Sequence, residues 1–239
     1  MSLAIVTIHK GKFADLLRTT TSVDLQKKKP LKHIVVARNL DYSQLKSIKA
    51  KYRTVIHNKD KSIYNAMNIG LKLTTNNYLL FLNSGDSFVN NNIISCILNF
   101  IKKEKRCLIF KTQIVYKNRC YFPKYKFFTS GNYLPHPSFI RPPIKRARIY
   151  KFNENLKIIS DGIWMKQNLK KYNFKKIDKI ITKHYVGGVS SVPSLNLIQD
   201  KAKVSFLEFF KECIKLILYY ILKDKYFYQL ILKNNFDKK

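Results

Sequence analysis

Through most of the chain, short unbroken apolar runs alternate with stretches whose apolar residues recur every three or four positions. Leu3 to Ile8, His33 to Ala37 and Thr54 to His57 read as strands, with helices over Phe13 to Val23 and Ser43 to Tyr52 between them. The pattern is sharpest over residues 62–86. There Ile63, Ala66, Met67, Gly70, Leu71 and Leu73 form a helical stripe behind Ser62 or Asp60 as N-cap, and Asn76 with Asn77 makes a turn. Tyr78 to Leu82 is then a continuous apolar run, the mark of a strand covered on both faces. Residues 91–103 predict a further helix, and residues 107–115 one or two strands. A helix follows Ser160 and Asp161, and a strand over 177–186 ends in a Gly187–Gly188 turn. This alternation predicts an α/β fold with a doubly wound, mostly parallel central sheet flanked by helices. Asp86 lies just past the C-terminal end of the 78–82 strand, in the crevice where open α/β sheets bind ligands.

Two regions break the rhythm. Between Lys117 and Arg148 it dissolves into aromatic, proline and basic residues, and Pro135 and Pro137 predict an extended, stiff backbone around His136. After Pro193 the chain becomes long, aromatic and helical, with Glu208, Lys211, Glu212 and Lys215 on one stripe of an otherwise apolar segment. The expected organisation is therefore a domain over 1–192 and a C-terminal amphipathic helical segment over 193–239. That segment would lie on a membrane surface, fold back on the core or pair with a second subunit; Lys201, Lys203, Lys223 and Lys225 favour anionic headgroups.

Composition narrows the chemistry. The chain has 46 Lys and Arg against 14 Asp and Glu, a formal charge of +32, which favours anionic partners and equally fits a lysine-rich solvated surface. With 46% hydrophobic residues it is not a disordered chain. Cys96, Cys107, Cys120 and Cys213 form no metal or disulfide spacing and read as reduced thiols. The apolar run near the N-terminus is too short for a signal peptide, and no stretch reaches the roughly 18 apolar residues of a spanning helix, so a cytoplasmic location is expected. No GxGxxG follows the first strand and no GxxxxGK[ST] occurs, which excludes the usual dinucleotide and P-loop sites.

The texts DKSIYNAMNIGL and FLNSGD, joined at the observed distance, resemble the family-two glycosyltransferases of the GT-A fold, especially the bacterial surface-polysaccharide branch that includes colanic acid transferases. That branch carries a stretch close to DKGIYDAMNKGI and then FLNSGD. The likeness continues more loosely through LPHPSFIRP, ISDGIWMKQNL and HYVGGVSS, over about the first 190 residues. It implies an inverting hexosyltransferase that moves a sugar from a nucleotide diphosphate, a UDP sugar in the first instance, to a hydroxyl of a lipid-linked saccharide. O-antigen, capsule or lipooligosaccharide synthesis at the inner face of the cell membrane is the implied setting.

The resemblance also implies roles. Thr7, Asp60, Asn83 and Asp86 fall to the nucleotide, and Asp60 could equally cap the helix that follows it. Asp86 becomes the ligand of Mn2+ or Mg2+, or else a turn or helix-capping residue before Asn90, and His184 becomes a further metal or diphosphate contact, or else a packed core histidine. Asp161 becomes the catalytic base, required because an inverting transfer needs a carboxylate to take the acceptor hydroxyl's proton; its alternative is an N-cap. His136 stands beside the acceptor or diphosphate, or merely packs. Arg141, Lys145, Arg146 and Arg148 would meet a phosphorylated acceptor or form a solvated face. One departure is plain: the family's Asp at the end of the second strand is Ala37 here, and Asp41 does not replace it. The competing class is a nucleic-acid-binding protein using charge and aromatic rings. No binding motif supports it, and no nucleic-acid partner is expected.

Overall fold

The computed structural model describes residues 2–58, 62–131, 133–144, 150–186 and 194–238. Four strands, β1 (Leu3–His9), β2 (Lys32–Ala37), β3 (Arg53–His57) and β4 (Tyr78–Phe81), form a parallel half-sheet in the order β3-β2-β1-β4. Helices α1 (Phe13–Asp24), α2 (Tyr42–Ser47) and α3 (Ile63–Lys72) make the crossovers. The sheet continues past β4 with antiparallel β8 (Phe139–Arg141), then β6 (Cys107–Tyr116) and β7 (Arg119–Pro123). β9 (Phe174–Tyr185) lies parallel to β6 and pairs at its far end with the short β5 (Ser87–Phe88). The fold is thus α/β with a mixed, mostly parallel sheet.

Burial on both faces explains why the strands read as unbroken apolar runs. Val6, Ile8, Leu79 and Phe81 point into one core with Met67 and Leu71 of α3 and Trp164 of α6 (Ser160–Tyr172). Leu3, Ile5, Leu80 and Leu82 point into the other, with Ile94 and Ile97 of α4 (Ile93–Ile101). Gly70 lets α3 approach β1 closely, since a Cβ there would stand 2.4 Å from a methyl of Val6.

Several expectations change. The second helix stops at Ser47, and Asp41 is its N-cap, in a capping box with Gln44. After residue 116, Lys117 and Asn118, both at positive φ, make the tight turn of a β6–β7 hairpin that the sequence pattern did not show. It continues with α5 (Tyr125–Thr129). Residues 136–138 form a single 3-10 turn rather than an extended segment.

Arg141 is fully buried in β8 opposite Leu79, at the end of the sheet away from Asp86. It donates to Thr74 O at 3.3 Å, and burial pulls its pKa down to about 10. It is a core residue and meets no acceptor; Lys145, Arg146 and Arg148 lie outside the described residues.

The segment after residue 193 is tied to the body at two points. Asp200 of α7 (Leu195–Ala202) is buried against residues 157–159. At the other end, β10 (Phe236–Lys238) adds a strand to the sheet on β7. Between them runs α8 (Phe206–Asn235), thirty residues long. Among the described residues no helix is long and apolar enough to cross a membrane.

Candidate active site

The NSGD loop is shaped by its own residues. Asp86 N–H donates to Asn83 O at 3.0 Å, and Gly85 has φ +103°, so the third position of this turn requires glycine. The Thr19 hydroxyl of α1 locks it, accepting from Gly85 N–H at 3.0 Å and donating to Asp86 O at 2.7 Å. These bonds use only backbone atoms of Asp86, so its carboxylate is free for another partner.

That partner is His184. The β5–β9 pairing sets Ser87 opposite Lys183 and so brings His184 level with Asp86, where its Nδ1 lies 2.7 Å from Asp86 Oδ1. Burial opposes charging the His184 ring, but the facing carboxylate and their hydrogen bond outweigh it and hold its pKa above the usual value.

His136 lies beside this couple, with its ring stacked on Phe81 at 5.4 Å. Burial lowers its pKa; Asp161 and Asp86 partly offset this, and His184 adds to the lowering. The net effect favours its neutral form, and its Nε2 is buried without a hydrogen-bond partner. Asn83 Oδ1 is likewise buried and unpartnered. Such orphaned atoms are costly unless a ligand meets them. Among the described residues no three His, Cys, Asp or Glu side chains gather at metal-binding spacing. Asp86 and His184 bring together one carboxylate and one imidazole, a donor set that fits a hard cation only where phosphate oxygens and water complete it.

Asp161 stands in the first turn of α6, past the N-cap residue Ile159, so it is not the cap. One of its oxygens accepts from Gly162 N–H at 2.7 Å. Its charge is felt both at His136 and at Tyr64, which places it on the same side of the site. The segment leading to it is held by the SIYNAMN helix. Tyr64 Oη accepts from Ser160 N–H at 3.1 Å, and Asn68 exchanges two hydrogen bonds with the Phe152 backbone, at 2.9 and 3.0 Å. Tyr64 and Asn68 are one helical turn apart, so the motif acts as a two-point clamp. Phe81, Phe152 and Trp164 pack as an aromatic block between α6 and the end of β4.

Thr7 is the clear correction. It is fully buried in β1 and its hydroxyl is committed. Arg53 Nε donates to His33 Nδ1 at 3.0 Å, so His33 presents Nε2–H to Thr7 Oγ1 at 2.9 Å, and the Thr7 hydroxyl donates to Leu82 O at 2.7 Å. The chain ties β1, β2 and β4 together and leaves nothing for a nucleotide. Asp60, the Gly187–Gly188 turn and the serines after it lie outside the described residues; Ser62 is the N-cap of α3.

Two cavities flank the Asp86 loop. One, of about 340 Å³, opens at the ends of β1 and β2 among His9, Lys10, Arg38, Asn39 and Gln44. It is polar and basic, and His9 Nδ1 joins it to the loop through Ser84 Oγ at 2.9 Å. The other, of about 280 Å³, is mostly apolar and lies on the β6–β9 side, lined by Phe127, Tyr133, His136, His184 and Phe236. Asn39, at φ 55°, and Phe236 were not singled out from the sequence. The ARN text after β2 was the available signal for the first; nothing local marks the second.

The comparisons bear on the backbone. Solved structures of S. aureus TarS resemble this chain: TarS 1-349 in complex with UDP has a TM-score of 0.61 at 16% identity, over 89% of this chain and 68% of that one. This chain has the TarS fold. The UDP-GlcNAc complex of TarS 1-349 gives a TM-score of 0.58 at 15% identity, over 89% of this chain and 69% of that one. A longer TarS structure gives 0.58 at 14% identity, over 93% of this chain but 43% of TarS. No protein-family model and no curated protein matches the chain. The likeness to TarS covers the sheet and flanking helices.

Proposed function

We propose that this protein is an inverting glycosyltransferase that transfers a sugar from a nucleoside diphosphate, a UDP sugar in the first instance, to an acceptor hydroxyl. The observation that carries the reading is the gathering of Asp86, His184, His136 and Asp161 at one end of the sheet, between a basic polar cavity and an apolar one. The TarS complexes with UDP and UDP-GlcNAc support a nucleotide sugar as donor. The narrower likeness to colanic acid transferases rests on the sequence motifs.

Each part has a chemical role. Lys10 and Arg38 in the basic cavity favour a nucleoside diphosphate, and the acceptor sits over the apolar cavity with its hydroxyl towards Asp161. The Asp161 carboxylate takes the hydroxyl proton as that oxygen bonds to the anomeric carbon, while the bond to the diphosphate breaks and its electron pair leaves with the nucleotide. Asp86, His184 and the Asn83 amide oxygen would hold Mn2+ or Mg2+, which offsets charge on the departing diphosphate. Neutral His136 offers a hydrogen bond to acceptor or diphosphate. Calorimetric titration with UDP in Mn2+ and in chelator, alongside turnover of a nucleotide-sugar panel, tests the reading. Manganese-dependent UDP binding and release of UDP from one sugar nucleotide are expected; neither occurring would overturn it.

The acceptor is a lipid-linked saccharide, reached from the membrane surface. Supporting this, α8 turns Leu207, Phe210, Ile214, Ile217 and Ile221 outward at three- and four-residue spacing, each at least half or nearly half exposed, while Glu212 is buried. Two copies of a chain of charge +32 repel each other, whereas an anionic bilayer attracts its basic surface; Lys211 and Lys215 beside that stripe are themselves paired with Glu208 and Glu212. Replacing the five stripe residues by Ser should reduce co-sedimentation with phosphatidylglycerol-containing vesicles at least fivefold and leave UDP binding unchanged. Undiminished sedimentation would assign the attachment to the general basic surface.

A further inference from the structure

Asp200 lies in α7, some forty residues beyond Asp161 and in the segment that reads from sequence as a tail. Its side chain is fully buried. One carboxylate oxygen, Oδ2, accepts from three successive backbone amides, Lys157 N–H at 2.8 Å, Ile158 N–H at 2.6 Å and Ile159 N–H at 3.3 Å. These are the amides just ahead of α6, whose second residue is Asp161. The next amide, Ser160 N–H, donates to Tyr64 Oη of α3. Four consecutive N–H groups at a helix entrance therefore have side-chain partners from two different helices.

We infer that Asp200 is a positioning residue for Asp161: its buried carboxylate clamps the 157–159 backbone and so sets the height and direction from which the Asp161 carboxylate faces the reacting hydroxyl. The inference deepens the glycosyltransferase reading and rests on it. A fully buried carboxylate oxygen that accepts three successive backbone amides is a directional restraint on that backbone. It also faces the positive end of the α6 dipole. A carboxylate held only for stability could sit against any helix entrance in the body; this one sits at the entrance that carries the proton acceptor. Small displacements matter there, because misplacement by about 1 Å can cost some 10²-fold in rate. Asn196 strengthens the tie by accepting from Lys157 Nζ at 2.8 Å.

The test uses the full chain, UDP with Mn2+ as binding probe, and hydrolysis or transfer from whichever sugar nucleotide of the panel turns over. Asp200→Ala should lower kcat at least tenfold with donor KM and UDP affinity within twofold of wild type, and should speed amide exchange over residues 157–163. Asp200→Asn keeps an oxygen for the amides but not the charge, and should fall between, threefold or more below wild type. If Asp200→Ala does not fold, Asp200→Asn decides alone. Wild-type kcat in Asp200→Asn, or equal losses in kcat and UDP affinity, would overturn the positioning role. A wild-type protein that binds no UDP and turns over no donor would instead overturn the glycosyltransferase reading, and the role of Asp161 with it.

Discussion

Asp161→Asn is expected to slow transfer by roughly 10²- to 10⁴-fold, the usual contribution of a general base, with UDP affinity nearly unchanged. α6 begins before Asp161 and has Ile159 as its N-cap, so the substitution removes no cap. An Asn can still accept from Gly162 N–H, the one bond the carboxylate makes with its own turn. What disappears is the basic oxygen and a negative charge in the first helical turn, the latter worth about 0.3–1 kcal/mol of stability. Steady-state kinetics with thermal melting separates the two effects. A variant with a preserved melting temperature and turnover within a few-fold of wild type would remove Asp161 from the chemistry.

Asp86→Asn is expected to lower turnover by about 10²- to 10³-fold, the scale on which a single stabilising contact to developing charge acts, and to abolish the difference between UDP binding in Mn2+ and in chelator. The structure isolates the carboxylate for this purpose. The turn is made by Asp86 N–H, Asp86 O, Gly85 and Thr19, and α4 starts only at Ile93, so the side chain neither shapes the loop nor caps a helix. Asn leaves that scaffold standing while taking away the charge that faces His184. His184→Asn removes the other half of the couple and should weaken binding in the same direction. Equal UDP binding by Asp86→Asn and wild type, with equal response to chelator, would show that the couple is structural.

His136 and Asp200 illustrate how far local pattern reaches. The prolines around His136 correctly flag a constrained backbone, yet its form is a 3-10 turn, and its importance comes from Phe81 beneath it and three ionisable neighbours from distant parts of the chain. Asp200 is one acidic residue in a lysine-rich tail. Only docking of α7 shows that it belongs to the entrance of α6, some forty residues earlier.

The alternation of apolar runs and helical stripes, the glycine turn of NSGD and the SIYNAMN helix were determined by sequence itself, because each depends on residues within a few positions of one another. A strand covered on both faces is apolar throughout, and a turn whose third position has φ near +100°, as at Gly85, favours glycine there. Tertiary structure alone decided that His184 stands opposite Asp86, since strand register is set by pairing across nearly a hundred residues. It alone withdrew Thr7, whose hydroxyl is spent on a chain from Arg53 through His33 to Leu82. And it alone brought Phe236 to the apolar cavity, because β10 is a strand only by virtue of its pairing with β7, and such pairing is settled by which edge is free when the rest of the sheet has formed.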